Sequence, residues 1–142
     1  MDVLYKAHAV ASGGGRTDGR SHTDDGKIDV ALSVPAAMGG DDGPGTNPEQ
    51  LFAVGYAACY LGALRLVSQG AGTPVGPDTQ IHSGIGFGKN DHGEGYNISV
   101  DLKVTDHGLD RATIDALIAK AHQVCPYSNA TRGNVDVAVS AE

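Results

Sequence analysis

The chain has 142 residues, enough for one domain with a buried core, and its formal net charge is -7 at pH 7, with only 10 scattered Lys and Arg residues. Nucleic-acid binding is therefore not expected, because phosphate contacts need clustered positive charge. No basic stretch followed by an apolar one opens the sequence, so we expect a cytoplasmic protein without a permanent structural disulfide.

The first third of the sequence predicts two strands with long irregular connections. Residues 3–11 and 27–34 alternate between apolar and polar side chains, as half-buried strands do. Between them, 12–26 is rich in glycine and aspartate and is predicted to be a mobile loop that carries Arg16 and Arg20. The two strands are therefore expected to form a hairpin with a long tip.

A long helix is predicted over 46–67. Thr46 or Asn47 can cap its first turn, and Gln50 is placed to reach back to the cap. The residues that follow are apolar on every side and include Cys59 in mid-helix. Such a pattern is typical of a helix buried all round.

The second half of the chain predicts a hairpin, a helix and a last strand. Residues 81–89 and 96–104 alternate with period two around a short tip. An amphipathic helix follows over 109–125 and ends at Pro126, which cannot continue it. The stretch after this proline is rich in turn-forming residues, and 135–140 is predicted as a strand.

The order ββαββαβ predicts a single α+β domain over 1–142, with antiparallel sheets and a buried central helix. A helix that is apolar on all faces is hard to cover in a chain of this size. It is either buried completely within one chain or covered by a second copy, and we expect a symmetric homodimer.

The two cysteines are the first candidates for chemistry. Both could be small core residues, as free cysteines often are. However, Cys125 precedes Pro126 at a helix boundary, and Cys59 sits in the apolar helix. Burial raises the pKa of a thiol, so thiolate chemistry at Cys59 requires a nearby cation.

The arginines of the 12–26 loop could supply that cation, and an arginine in an apolar site needs a carboxylate partner. Glu49 is the candidate, although it could simply interact favourably with the helix dipole. Ten residues of helix separate Glu49 from Cys59 by about 15 Å and place them roughly 80° apart around the axis. Antiparallel packing of two copies of the helix would bring Glu49 of one copy close to Cys59 of the other.

No other constellation predicts chemistry. The six histidines form no helical i, i+4 pair, and neither cysteine has a CxxC partner, so a metal site is not expected. The glycine clusters match neither a P-loop nor a dinucleotide-binding motif, and no GxSxG elbow is present.

Two motifs surround the cysteines, TNPEQLFAVGYAAC over 46–59 and AHQVCPYSNATRGN over 121–134. Together with the GGGR…DG loop and the cysteine spacing, they closely resemble the organic hydroperoxide resistance family of the OsmC-like superfamily. The resemblance covers essentially the whole chain. It implies an intertwined α+β homodimer with two active sites at the subunit interface, acting as a thiol-dependent peroxidase in the bacterial cytoplasm.

The same resemblance implies roles for four residues. Cys59 is the peroxidatic thiol, Cys125 is the resolving thiol, and Glu49 orients the active-site arginine. The family pattern GGRxG fits Arg16 better than Arg20, although the sequence GGGRTDGR has one residue inserted relative to that pattern. A second departure is Tyr60, which follows Cys59 where the family more often has Phe.

The implied reaction reduces an organic hydroperoxide to an alcohol and oxidises Cys59 to a sulfenic acid, which condenses with Cys125 to a disulfide. A dithiol, such as the dihydrolipoyl group of a lipoylated protein, then reduces the disulfide. No metal, flavin, haem or membrane is implied. The alternatives are a redox sensor or a non-enzymatic module that binds apolar ligands in the same pocket.

Overall fold

Three short antiparallel strands form the first sheet of the protein, whose computed structural model describes all residues, Met1–Glu142. Strand β1 (Ala9–Ser12) pairs with β2 (Arg20–Thr23), and β2 pairs with β3 (Asp29–Ala31). Backbone hydrogen bonds define these strands more than apolar side chains do, because nearly all of their residues are exposed or half-buried.

Strand β2 corrects the predicted loop over 12–26, because it lies inside that stretch and pairs on both sides. Its sequence, RSHT, has no apolar alternation, so its pairing could not be read from side chains. The loop that remains, 13–19, is short and closed by a bond from the Gly19 N–H to the Gly15 carbonyl at 3.1 Å. A single 3₁₀ turn, Ala36–Met38, interrupts the connection to the central helix.

The predicted central helix is confirmed as α1 (Pro48–Gly70). Asn47 is its cap, since the Asn47 Oδ1 accepts a hydrogen bond from the Gln50 N–H at 2.8 Å. The Gln50 side chain does not reach back as predicted to the backbone of the cap. Its Oε1 accepts from the Thr46 hydroxyl at 2.7 Å instead.

Burial of α1 is one-sided, so of the two alternatives given by the sequence, complete burial within one chain is the one that the structure does not show. Tyr56, Tyr60 and Leu64 are fully buried. Val54 and Leu66, by contrast, are each 67% exposed. By length and composition, α1 is also the one helix apolar enough to cross a membrane, a test that core helices of soluble proteins pass as well.

The chain divides into two compact units, Met1–Leu51 and Phe52–Glu142, and α1 runs from one into the other. The second unit contains a sheet of β4 (Gln80–Lys89), β5 (Tyr96–Thr105) and β6 (Val137–Ala141). The β4–β5 hairpin is antiparallel as predicted. Strand β6 pairs with β5 in parallel, which corrects the prediction of purely antiparallel sheets.

Two helices connect β5 to β6. Helix α2 (Arg111–Val124) confirms the predicted amphipathic helix, and Asp110 caps it by accepting from the Thr113 N–H at 3.0 Å. Helix α3 (Pro126–Thr131) corrects the predicted run of turns after Cys125. The element order is therefore βββαββααβ. The buried core of this unit comprises Tyr56, Tyr60, Ala63, Leu64, Val75, Val100, Leu102, Val104, Ile114, Leu117, Ile118, Ala121 and Cys125.

We expect Tyr60→Phe to lower the free energy of unfolding by about 1 kcal/mol. This holds even though the family that the motifs resemble more often has Phe at this position. The buried Tyr60 hydroxyl donates to the Ile118 carbonyl at 2.8 Å, and the substitution removes that bond without leaving a cavity. Chemical denaturation measures the change, with exposed Tyr96→Phe as the matched control. An unchanged or increased stability of Tyr60→Phe would contradict this account.

Candidate active site

Arg16 and Glu49 form a two-pronged ion pair in the first unit. The Arg16 Nη1 and Nη2 donate to the Glu49 Oε2 and Oε1 at 3.1 and 2.8 Å. The pair is partly shielded, since the Glu49 side chain is 14% exposed and that of Arg16 is 37% exposed. The hydrogen bond to Glu49 raises the pKa of Arg16. This arrangement fixes the plane of the guanidinium, as paired parallel bonds to a carboxylate do.

The loop geometry holds Arg16 in place. The Thr17 hydroxyl donates to the Gly14 carbonyl at 2.9 Å, and the Gly19 N–H closes the loop on the Gly15 carbonyl. A Cβ at Gly19 would lie 2.4 Å from that same carbonyl oxygen, so only glycine permits the approach. Glu49 lies in the first turn of α1, where the helix dipole favours a carboxylate.

Arg20, the other arginine considered, is paired elsewhere. Its guanidinium donates through Nε to Asp29 at 2.6 Å and through Nη2 to the other oxygen of the same carboxylate. Both side chains are exposed on neighbouring strands β2 and β3. The contact with Glu49 therefore distinguishes Arg16 from Arg20 as the sequence predicted, while the role of Arg16 stays a prediction.

The second unit brings the two cysteines together. The Cys59 Sγ lies 3.6 Å from the Cys125 Sγ, and both residues are free thiols. Cys125 is fully buried and Cys59 is half-buried. A disulfide needs about 2.05 Å between sulfurs, so a shift of roughly 1.5 Å would join them. The two thiols are therefore close enough for a small movement to bring them within bonding distance.

Local structure explains how Cys125 reaches this position. It is the last capping residue of α2 and the first of α3, with an extended backbone at φ -64° and ψ 124°. Pro126 begins α3, where its missing N–H leaves no bond unmade. The chain therefore turns at Cys125, between two helices, and its thiol is directed at α1.

Burial raises the pKa of the Cys59 thiol, and the hydrogen bond and charge of Cys125 raise it further. The Tyr127 N–H acts in the opposite direction, because a donated hydrogen bond favours the thiolate. Burial is the larger effect, so these contacts alone leave Cys59 mainly protonated at neutral pH. Rapid thiolate chemistry therefore requires additional positive charge, as the sequence had indicated.

Sequence reasoning missed the aromatic residues beside Cys59. The rings of Phe52, Tyr56 and Tyr127 form a triangle with centroid distances of 5.5 to 5.8 Å. A Cβ at Gly55 would lie 3.1 Å from the Tyr127 hydroxyl and 3.3 Å from its ring, so the glycine admits the ring against α1. Only a correct prediction of α3 would have placed Tyr127 here. No group of three or more His, Cys, Asp or Glu side chains in the structure could hold a metal ion.

Comparison with known proteins identifies the family. A profile described as OsmC-like protein matches residues 39–140. The organic hydroperoxide resistance protein of Xanthomonas axonopodis pv. citri is 48% identical over 138 residues, covering 97% of this chain and 94% of that protein. The chain belongs to the organic hydroperoxide resistance family of OsmC-like proteins.

Solved structures agree with this assignment to the organic hydroperoxide resistance family. The crystal structure of a protein so described, from Legionella pneumophila, is 42% identical, with a TM-score of 0.90 and 99% of both chains covered. OhrB of Bacillus subtilis is also 42% identical, with a TM-score of 0.87 and 99% and 100% of the two chains covered. The predicted family and α+β fold are thus confirmed, and the profile match includes Glu49, Cys59 and Cys125.

We expect the pKa of Cys59 to fall when Cys125 is replaced by Ala, because both interactions with Cys125 raise it. The pH dependence of iodoacetamide labelling at Cys59, followed by mass spectrometry on reduced protein, measures the shift. The exposed His92→Ala variant is a control that should leave the profile unchanged. A Cys59 pKa that stays constant or rises in Cys125→Ala would contradict the coupling.

Proposed function

We propose that this protein is a thiol-dependent peroxidase that reduces organic hydroperoxides to alcohols. The observation that carries the proposal is the 3.6 Å approach of the Cys59 and Cys125 thiols at the junction of two helices. Membership of the organic hydroperoxide resistance family supports it, since the relatives from Xanthomonas and Bacillus carry that name. A thiol pair so placed is suited to a cycle of oxidation and reduction.

The first step oxidises Cys59. Its thiolate sulfur attacks one oxygen of the hydroperoxide, the O–O bond breaks, and the departing alkoxide takes up a proton to become the alcohol. Cys59 is left as a sulfenic acid. The Cys125 sulfur then bonds to the Cys59 sulfur, and the displaced hydroxyl leaves as water with the Cys125 proton. A dithiol of the dihydrolipoyl type, presented by a lipoylated protein, would reduce the disulfide by two thiol–disulfide exchanges.

Arg16 would supply the positive charge that a buried Cys59 thiolate needs, with Glu49 orienting it. The bidentate contact between Arg16 and Glu49 supports this role, because it holds the guanidinium in one plane. Glu49 and Cys59 are ten residues apart on α1, a rise of about 15 Å. We therefore infer a homodimer in which the arginine and glutamate of one copy serve the cysteines of the other.

The exposed apolar face of α1 supports the homodimer. Val54 and Leu66 on that face are largely uncovered in the single chain, and burial of such side chains contributes about 25 cal/mol per Å². A second copy of α1, rather than a membrane or nucleic acid, would cover them, in keeping with a cytoplasmic location.

The aromatic triangle supports an organic substrate. The rings of Phe52, which is half-buried, and Tyr127, which is 38% exposed, pack against the fully buried Tyr56 and offer apolar surface near the half-buried Cys59. An alkyl or aryl group gains from contact with such rings, whereas hydrogen peroxide has no apolar part to bury. The proposed reaction draws on the cysteines, the arginine and the dithiol, without a metal or organic cofactor.

We expect the wild-type protein to consume tert-butyl hydroperoxide in multiple turnovers when dihydrolipoamide is supplied. Cys59→Ser should abolish consumption, because it removes the sulfur that is oxidised. Cys125→Ser should consume about one equivalent per site and then stop, because no intramolecular disulfide can form. Peroxide loss and thiol oxidation are measured together.

Absence of turnover by wild-type protein would contradict the peroxidase and leave the binding or sensing alternatives. Normal cycling of Cys125→Ser would show that another group resolves the sulfenic acid. Serine preserves the size of both side chains, so these variants act as matched controls for each other.

We expect Arg16→Ala to slow the oxidation of Cys59 by roughly 10- to 100-fold, the effect of losing about 1.5–3 kcal/mol of interaction with a charged group. Arg20→Ala should change the rate less than about twofold, because its partner is the exposed Asp29. Single-turnover oxidation by tert-butyl hydroperoxide measures both. The reverse order would identify Arg20 as the active-site arginine.

A further inference from the structure

A chain of hydrogen-bonded side chains surrounds Cys125 and is not used in the proposed reaction. The His122 Nδ1 lies 3.0 Å from the Ser128 Oγ, which lies 2.9 Å from the Tyr56 hydroxyl. The Tyr56 hydroxyl is also 3.2 Å from the Thr131 Oγ1. Ser128 and Tyr56 are fully buried. Three helices, α1, α2 and α3, are thus tied together through polar groups in an apolar core.

Cys125 lies inside the loop that this chain closes. His122 is three residues before it on α2, and Ser128 is three residues after it on α3. The bond between them therefore spans the bend at Cys125 and Pro126. The far end of the chain reaches Tyr56, which is one helical turn before Cys59 on α1. The same contacts that fix the bend thus also connect it to the helix that bears Cys59.

These bonds fit a neutral His122 in either ring tautomer. Burial and the positive charge of Arg132 both lower the pKa of His122, so the imidazole is neutral at neutral pH. With the ring proton on Nε2, Nδ1 accepts from the Ser128 hydroxyl, which accepts from Tyr56; with the proton on Nδ1, the ring donates to Ser128, which donates to Tyr56. The Thr131 hydroxyl donates to the Tyr127 carbonyl at 2.9 Å. In both arrangements the buried hydroxyls of Ser128 and Tyr56 are hydrogen-bonded.

We propose that the hydrogen-bonded chain of His122, Ser128 and Tyr56 holds Cys125 in position to attack the Cys59 sulfenic acid, which makes His122 and Ser128 positioning residues for disulfide formation. This inference rests on the proposed peroxidase function. It concerns the second step only, in which the Cys125 sulfur displaces the hydroxyl of the sulfenic acid and water leaves. None of the three side chains exchanges a proton or electron with the substrate.

The geometry explains why disulfide formation is sensitive to the hydrogen-bonded chain of His122, Ser128 and Tyr56. The two sulfurs are 3.6 Å apart and have to approach to about 2.05 Å, so the permitted error in the bend is small. Loss of alignment in an intramolecular step can cost orders of magnitude in rate. Oxidation of Cys59 by hydroperoxide requires no alignment of Cys125. Its rate is therefore expected to be insensitive to substitutions in the hydrogen-bonded chain.

The test separates the two steps in a single turnover. Reduced wild-type, His122→Ala, His122→Asn and Ser128→Ala proteins are mixed with one equivalent of tert-butyl hydroperoxide. Samples are quenched with dimedone, which traps sulfenic acid, and with acid plus an alkylating agent, which preserves disulfide. Mass spectrometry gives the amount of each form against time. Thermal unfolding establishes that each variant is folded.

We expect His122→Ala and Ser128→Ala to form disulfide at least about tenfold more slowly and to accumulate trapped sulfenic acid, while Cys59 oxidation changes less than about twofold. His122→Asn should restore much of the disulfide rate, because its side-chain oxygen can accept from Ser128. His92→Ala, at the exposed β4–β5 tip, is the control and should behave as wild type.

Three results would overturn the positioning role. One is disulfide formation at the wild-type rate in folded His122→Ala or Ser128→Ala. The others are an equal slowing of both steps and a failure of His122→Asn to restore the rate, each of which would show a general structural defect. If His122→Ala does not fold, Ser128→Ala and Tyr56→Phe, which break the chain at other bonds, decide the question. Failure of wild-type Cys59 to be oxidised would instead contradict the peroxidase proposal, and the positioning role with it.

Discussion

The structure around the two thiols depends on a backbone constraint at Pro126. Proline has no N–H to donate and disfavours helical geometry in the residue before it, so α2 ends at Cys125 in an extended conformation. The chain then restarts as α3 in a new direction. This bend directs the Cys125 thiol towards Cys59, brings the Tyr127 N–H to the Cys59 sulfur, and sets Ser128 opposite His122. The proline thus fixes the backbone at Cys125 and the direction of the residues that follow it towards α1.

Burial of the Cys59 thiol has two opposing effects on the proposed reaction. The apolar surroundings that suit an organic hydroperoxide also disfavour the thiolate that would attack it, because charge is poorly solvated there. An arginine keeps its charge in such surroundings, and Glu49 fixes the orientation of Arg16 while raising its pKa. If a second copy of the chain completes the site, it would use two features seen here. These are the contact between Arg16 and Glu49 and the uncovered face of α1.

Much of this arrangement could be predicted from the sequence, and the exceptions have physical reasons. Helices α1 and α2 and the β4–β5 hairpin follow from apolar periodicity, and the motifs pointed to two pairs of residues that the structure brings into contact, Arg16 with Glu49 and Cys59 with Cys125, whose roles stay predictions. Strand β2 was missed because backbone bonds, not apolar side chains, hold RSHT in its sheet. Helix α3 was missed because Ser, Asn and Thr favour turns, and tertiary contacts overrule that preference in so short a segment. The parallel direction of β6 is compatible with the helical crossover between β5 and β6, so the predicted strand–helix–strand order already contained a signal for it.

Gly55 allows helix α3 to pack closely on α1. A Cβ at position 55 would lie 3.1 Å from the Tyr127 hydroxyl and 3.3 Å from its ring, so Tyr127 would have to move by a few tenths of an ångström to admit it. A methyl group there would therefore act as a small wedge under the residue whose backbone N–H reaches the Cys59 sulfur. A substitution at a position with no chemistry of its own would in this way alter the surroundings of the thiol.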